Sequence, residues 1–236
     1  MEAIDKLILE FKNKLNQLKN SERAKKEKAY LKSPDQFYGV SVWEINNIVK
    51  EFRKKNPTLE KDKLFKLTTK LWNSPSHEEK TIALKLLESY SSYLSLKDMD
   101  LLERMLNQSS GWAHVDEIAC HLVSSVLGKN KQAYSYLKKW ATSDNFWLRR
   151  ASVISQILLF REGKGDKELF FAISQKLLHE KEFFVRKAIG WTLREMSKTD
   201  PESVANFLKK YKDRMSELTF REGSRKLPTQ FLTIIN

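Results

Sequence analysis

Helix-start signals recur along this chain at a nearly constant interval, and that recurrence restricts the available folds more than any other feature. Apolar residues fall at helical spacing almost everywhere, as in Ile4, Leu7, Ile8, Phe11, Leu15 and Leu18, or Val115, Ile118, Ala119, Leu122 and Val126. Between these runs, Ser41 with Glu44 and Ser76 with Glu79 read as capping boxes, and Asp200-Pro201 as a cap followed by proline at the first helical position. Thr58, Ser95, Asn130, Ser143 and Asp166 stand at further cap positions. Helices are therefore expected to begin near residues 42, 59, 77, 96, 112, 131, 146, 167, 182 and 201, each about 35 residues before the next but one. A helix pair repeated at that interval buries its apolar face only against its neighbours, which defines an α-solenoid. The string Phe146-Trp147-Leu148-Arg149-Arg150-Ala151 returns as Phe183-Phe184-Val185-Arg186-Lys187-Ala188, a displacement of 183 − 146 = 37. No segment reads as a strand. One all-α domain is expected over 1–236, with N-terminal capping helices and a loop in 1–40 and helical repeats in 41–236. Lys25 to Gly39, around Ser33-Pro34-Asp35, reads as the separating loop.

Composition agrees. Only 7 Gly and 5 Pro occur in 236 residues, roughly 3% and 2% against typical usage of about 7% and 5%, which disfavours turn-rich β folds and disordered linkers. Lys plus Arg number 43 against 30 Asp plus Glu, a net charge of +13. A polyanionic partner and a merely solvated, lysine-rich surface are both compatible with that excess. A single cysteine, Cys120, excludes an internal disulfide and every paired-cysteine zinc pattern. The N-terminus alternates charge with Ile4, Leu7, Ile8 and Phe11 and lacks the apolar block of a signal peptide. No run approaches the length of a membrane span. A cytoplasmic protein without a membrane partner is expected.

Several chemistries are absent as motifs. Glycines at 39, 111, 128, 163, 165, 190 and 223 form neither G-x-G-x-x-G nor G-x-x-x-x-G-K-[ST], so no nucleotide cofactor is expected. His114, Cys120 and His121 share one helix without completing a ligand set, and H-E-x-x-H is missing, so no metal site is expected. No G-x-S-x-G nucleophile elbow occurs.

Aromatic and charged residues are more informative. In the helix expected near 182, Val185, Ala188, Ile189, Thr192 and Met196 form one stripe, and Trp191 lies about 120° from its centre, between Lys187 and Arg194. Two readings stand for it: a second packing face, or a platform for nucleic acid. Trp112 and Asp116, four residues apart, share one face of their helix. A carboxylate beside an indole is partly desolvated, so it calls for a positive partner: a lysine, Arg150, or a cationic ligand. Arg149 and Arg150 follow Trp147, and their guanidinium forks suit phosphates and helix-to-helix carboxylates equally.

Three separated strings then coincide with a known family. Ser143-Asp144-Asn145-Phe146-Trp147-Leu148-Arg149-Arg150-Ala151, the stretch Lys181 to Glu195 beginning Lys-Glu-Phe-Phe-Val-Arg-Lys-Ala-Ile-Gly-Trp, and Trp112-Ala113-His114-Val115-Asp116 resemble the AlkD-like DNA alkylation-repair glycosylases. Ala29-Tyr30-Leu31-Lys32 and Phe37-Tyr38-Gly39-Val40 fit the same pattern more weakly. The resemblance implies a stack of HEAT-like repeats with a concave, basic groove for double-stranded DNA. It also implies hydrolysis of the N-glycosidic bond of alkylated purines such as 3-methyladenine and 7-methylguanine, without a cofactor and by a monomer. Carried over by position, Asp116 is the essential carboxylate, Trp112 and Trp191 are the aromatic pair, and Arg150 is the catalytic-site arginine. Tyr30, Arg149, Phe183, Phe184, Lys187 and Arg194 are expected to contact DNA. Gly111, where a bulkier residue occurs in the family, is a departure that bears on affinity. A non-catalytic repeat protein that binds distorted or branched DNA, and a protein-binding scaffold, are the competing expectations.

Overall fold

The computed structural model describes residues 3–235, and among these the secondary structure is helical, with one isolated backbone bridge between Gln36 and Ser76. In chain order the helices are α1 (Ala3–Gln17), α2 (Ser21–Leu31), α3 (Val42–Lys55), α4 (Lys61–Trp72), α5 (His77–Ser89), α6 (Met99–Gln108) and α7 (Trp112–Glu117). A π-helical stretch, Ile118–Val123, leads into α8 (Ser124–Leu127), followed by α9 (Tyr134–Trp140), α10 (Phe146–Ile154), α11 (Ile157–Arg161) and α12 (Lys167–Lys176). The last four are α13 (Phe183–Met196), α14 (Pro201–Tyr211), α15 (Glu217–Ser224) and α16 (Thr229–Ile235). No described helix is long and apolar enough to cross a membrane.

Most expected helix starts are met within two residues, because the caps act as read. Ser41 and Glu44 close a full capping box, Asn130 and Asp166 accept from the first-turn amides of Gln132 and Leu169, and Asp200 caps a helix with proline in its first turn. Near 96 and 131 the chain first makes a 3-10 turn, so α6 and α9 proper begin three residues later.

Four expectations need correction. Lys25 to Gly39 is not all loop, since its first part lies in α2. That helix buries no residue and so has no apolar stripe to read. Its N-terminus is capped by Asn20, and Lys26–Glu22 and Arg23–Glu27 pairs lie one turn apart along it. Thr58 does not cap α4; Leu59 turns inward and is buried, and the helix starts after Glu60. Ser143 yields the cap of α10 to Asn145 and instead accepts that residue's amide. Ser76 accepts from the Glu79 amide, but the Glu79 carboxylate takes the Tyr38 hydroxyl at 3.0 Å, so that box is half formed.

Two compact units are distinguished: Met1–Leu94 with Ser109–Glu117, and Ser95–Gln108 with Ile118–Asn236. In the first, α5 is central, burying residues around its whole girth, and it packs on α3, α4 and α7. Its first-turn Glu78 accepts the Gly39 and Val40 amides at 2.6 and 3.2 Å. Gly39 has φ +79°, and a Cβ there would stand 2.0 Å from the Asn20 carbonyl oxygen, so only glycine lets this loop pass beneath α2. In the second unit α13 packs on α10, α11 and α15. A Cβ at Gly190 would lie 2.6 Å from Glu222 Cβ and 2.9 Å from the Thr219 carbonyl, so the close approach of α13 and α15 requires glycine there.

Candidate active site

In the first unit the candidate residues sit on α7, six residues long. Trp112 and Asp116 are half-buried, whereas His114 and Val115 between them are buried. At 100° per residue, Trp112 and Asp116 lie about 40° apart around the helix and His114 falls 160–200° from both, on the opposite side. The Tyr30 ring, 73% exposed at the end of α2, meets Trp112 edge-on at 5.9 Å. A Cβ on Gly111 would stand 3.9 Å from the Leu31 carbonyl oxygen, an ordinary contact, so space alone does not demand glycine there.

Behind α7 lies a polar cluster that sequence reasoning missed. The rings of Phe37, His77 and His114 form a column, with centroids 4.7 and 4.3 Å apart and interplanar angles of 15° and 24°, and Trp72 meets His114 edge-on at 5.6 Å. Nε2 of His114 lies 3.2 Å from Thr81 Oγ1 and 3.3 Å from the His77 carbonyl oxygen. Thr81 Oγ1 already donates to that carbonyl at 2.8 Å, so Nε2 carries the ring proton and donates to both oxygens. Burial pushes the His77 pKa down to about 4 and holds His114 well below the ordinary imidazole range. Both rings are neutral near neutral pH. The signal for this cluster was spacing: His77 and His114 are 114 − 77 = 37 positions apart, one repeat, near the starts of α5 and α7.

Asp35 adds a carboxylate within 4.8 Å of both imidazoles, the arrangement of residue types that could hold a metal. The geometry does not fit one. Imidazole nitrogens bind ions in the ring plane, and the planes of two rings stacked at 4.3 Å do not meet at a common coordination point. Lys80 Nζ moreover donates to Asp35 Oδ1 at 2.6 Å, already placing a positive charge on the acid.

In the second unit α10 and α13 assemble an aromatic and cationic surface. Arg150 is only 4% exposed; its Nη1 donates to the Phe184 carbonyl at 2.5 Å, and its guanidinium carbon stands 5.9 Å from the ring centres of both Phe184 and Trp191. Phe184 leans on Trp147 at 5.1 Å, and Phe183, 47% exposed, meets Phe184 edge-on with Lys187 Nζ 5.6 Å from the Phe183 ring centre. Trp191 is half-buried while Val185, Ala188, Ile189, Thr192 and Met196 are buried, as the phase argument places them.

For Arg149 the carboxylate reading prevails. Its Nε donates to Glu180 at 2.6 Å and its Nη1 to the Ser143 and Asp144 carbonyls at 2.7 and 2.9 Å. Burial alone would raise the Glu180 pKa, but the bond from Arg149 and the Glu182 amide bring it below the ordinary value. Arg194 is likewise paired, with Glu222. Of the cations expected on DNA in this unit, Lys187 is the exposed one.

The family model for DNA alkylation repair enzymes matches residues 11–227. Among solved structures, the chain is similar to an Enterococcus faecalis protein described as a predicted DNA alkylation repair enzyme, at 28% identity and a TM-score of 0.81, covering 89% of this chain and 97% of that one. It shares its fold with AlkD2 of Streptococcus mutans, at 19% identity and a TM-score of 0.61 over 80% and 91% of the two chains. A second S. mutans protein, smu.31, aligns at 19% identity and a TM-score of 0.58 over 78% and 98%. No curated protein matches the sequence. With a family match that runs from within α1 to beyond α15, the chain belongs to the DNA alkylation repair enzymes.

Proposed function

We propose that the protein is a monofunctional DNA glycosylase that hydrolyses the N-glycosidic bond of cationic alkylpurines, of the 3-methyladenine and 7-methylguanine type, in duplex DNA. The observation that carries this reading is the shared face of Trp112 and Asp116 on α7, backed by a buried opposite face, in a member of this family. Alkylation at purine N3 or N7 gives the base a formal positive charge, so it departs neutral and needs little acid catalysis. The demand falls on the sugar. As the C1′–N bond breaks, its electron pair leaves with the base and positive charge develops on the deoxyribose. A fixed carboxylate stabilises that charge and orients the water whose oxygen adds to C1′, taking up the water's proton.

Asp116 fills that role. The Trp112 face adds cation–π attraction to the same charge, roughly 0.5 to 2 kcal/mol depending on desolvation. On the second unit, Lys187 and Phe183 contact the DNA backbone, while buried Arg150 acts as a positioning residue for the faces of Phe184 and Trp191. Arg149 and Arg194 shape this surface through their glutamate partners instead of gripping phosphate directly. The leaving group is already activated, so no cofactor is required, and no lysine takes a Schiff-base role, so strands are not incised.

The test is release of base from methylated duplex by the wild type and by Asp116→Asn, scored as abasic sites, beside a duplex carrying a neutral lesion. Wild-type release from the cationic lesion alone, lost in Asp116→Asn, is expected; equal release by both proteins removes Asp116 from the mechanism. A borohydride-trapped adduct contradicts the monofunctional assignment. Salt-dependent binding without any base release replaces the reading with non-catalytic DNA binding.

A further inference from the structure

We propose that His114 is a positioning residue for Trp112 and Asp116, setting the rotation of α7 through its bond to Thr81 and the His77 carbonyl and through the ring column beneath it. The inference deepens the glycosylase reading and rests on it for its catalytic consequence.

α7 opens an unbroken helical run to Leu127, but the ladder behind it changes to π bonding over Ile118–Val123, so the orientation of its first turns rests on tertiary contacts as well as on the rest of the run. His114 sits on the side of α7 opposite the Trp112 and Asp116 face and is 5% exposed. It is pinned three ways: stacked on His77, edge-on to Trp72, and bonded from Nε2 to two oxygens of α5. The ring beneath it is fixed in turn by stacking on Phe37 of the loop that follows α2.

An aliphatic side chain could fill the same volume but would slide, because dispersion contacts have no preferred direction. The Nε2–H bond is directional and ties the ring, and with it the helix, to one register. Side-chain atoms lie about 5–6 Å from a helix axis, so a rotation of roughly 10° carries the Asp116 carboxylate about 1 Å. A misplacement of that size costs on the order of 100-fold in rate. The hydrogen-bonded, desolvated ring is neutral under working conditions and so adds no charge opposing the positive sugar. His114 itself touches no reacting atom.

The experiment compares His114→Phe, which keeps a ring for stacking but removes the N–H, with His114→Gln, which restores a donor at a similar distance. Single-turnover base release, duplex affinity and thermal midpoint are measured for both. The 19F resonance of Trp112 in 5-fluorotryptophan protein, assigned with Trp112→Phe, is recorded alongside. Expected for His114→Phe are a 10- to 100-fold loss in rate, less than 3-fold change in affinity, a thermal midpoint within a few degrees of wild type and a shifted or broadened Trp112 resonance; His114→Gln should recover most of the rate and the resonance.

A wild-type rate in His114→Phe overturns the proposal. So does an equal loss in both variants accompanied by a large fall in thermal midpoint, which marks a merely structural role. Should the wild type release no base, the glycosylase reading fails separately, and the Trp112 resonance decides the positioning claim: unmoved in His114→Phe, it refutes it; moved there and restored in His114→Gln, it supports it.

Discussion

The two units hold their candidate residues by different physical means. In the first, α7 opens a longer helical run and is backed by neutral imidazoles, a threonine and a backbone carbonyl, with one ion pair from Lys85 to Glu117. In the second, α13 is fourteen residues long, buries a full apolar stripe and passes close to α15 at Gly190, while its neighbourhood is organised by guanidinium–carboxylate pairs. The neutral His114 bonds add no charge behind Trp112, and the charge on Glu117 of α7 is matched by Lys85 of α5 at 2.7 Å. Paired arginines leave Lys187 to present an exposed cation. Under the proposed function, chemistry falls to the first unit and backbone grip to the second, and each proposal can be broken separately.

The largest expected effect is catalytic. Asp116→Asn should lower the single-turnover rate by about 100-fold or more, the scale for removing one electrostatic contact to a developing charge, with affinity for an abasic duplex changed less than threefold. A matching loss of affinity would erase the division between units.

Acid should separate them next. His77, held at about 4 by burial, with Asp35 opposing that shift and Lys80 adding to it, takes up its proton in the unfolded chain near 6.5. Between those values the unfolded state binds the extra proton, so stability rises with pH and falls on acidification from 6.5 to 4, by up to about 3 kcal/mol. His114 adds to the loss in the same direction. In the second unit Glu180 and Glu195 are lowered from 4.5, because bonds from Arg149, and from Arg161 and Lys198, outweigh burial. Their stabilisation is present above the ordinary value and disappears only as pH falls through the depressed one. Hydrogen exchange at pH 5 should thus loosen α5 and α7 before α13; simultaneous loosening would contradict the contrast.

Arg149→Met, which leaves Glu180 without its partner, should cost about 2 kcal/mol, less than a fully buried pair because both groups keep some solvent contact. The urea midpoint reads this, and an unchanged salt dependence of DNA binding would bear out its structural role. Lys187→Ala should instead reduce the slope of log affinity against log salt by about one, with the base-release rate at saturation unchanged. The smallest effect is Gly111→Ala, where the added methyl meets only ordinary contact; a change within about 0.5 kcal/mol in thermal stability is expected.

Much of the fold was legible because it is written locally. Caps such as Ser41, Asp166 and Asp200 act within three residues, so their effect can be read without knowing what lies across the core. Reading failed where a long-range partner outbid the local one. Glu79 left its capping box for Tyr38, and α2 formed without burying a residue, capped by Asn20 and approached closely by the loop at Gly39. The site divides in the same way: the Trp112 and Asp116 face follows from four-residue spacing, but nothing local distinguishes Arg149 bound to Glu180 from Arg150 beneath two aromatic rings.

By itself, then, the amino-acid order determined an all-helical chain, its repeat interval and the shared face of Trp112 and Asp116, since helical periodicity and capping are properties of neighbours in sequence. Which cations are already paired, and that His77 and His114 meet as stacked neutral rings behind α7, was decided only by the tertiary structure. Pairing and desolvation depend on groups brought together from more than thirty residues apart.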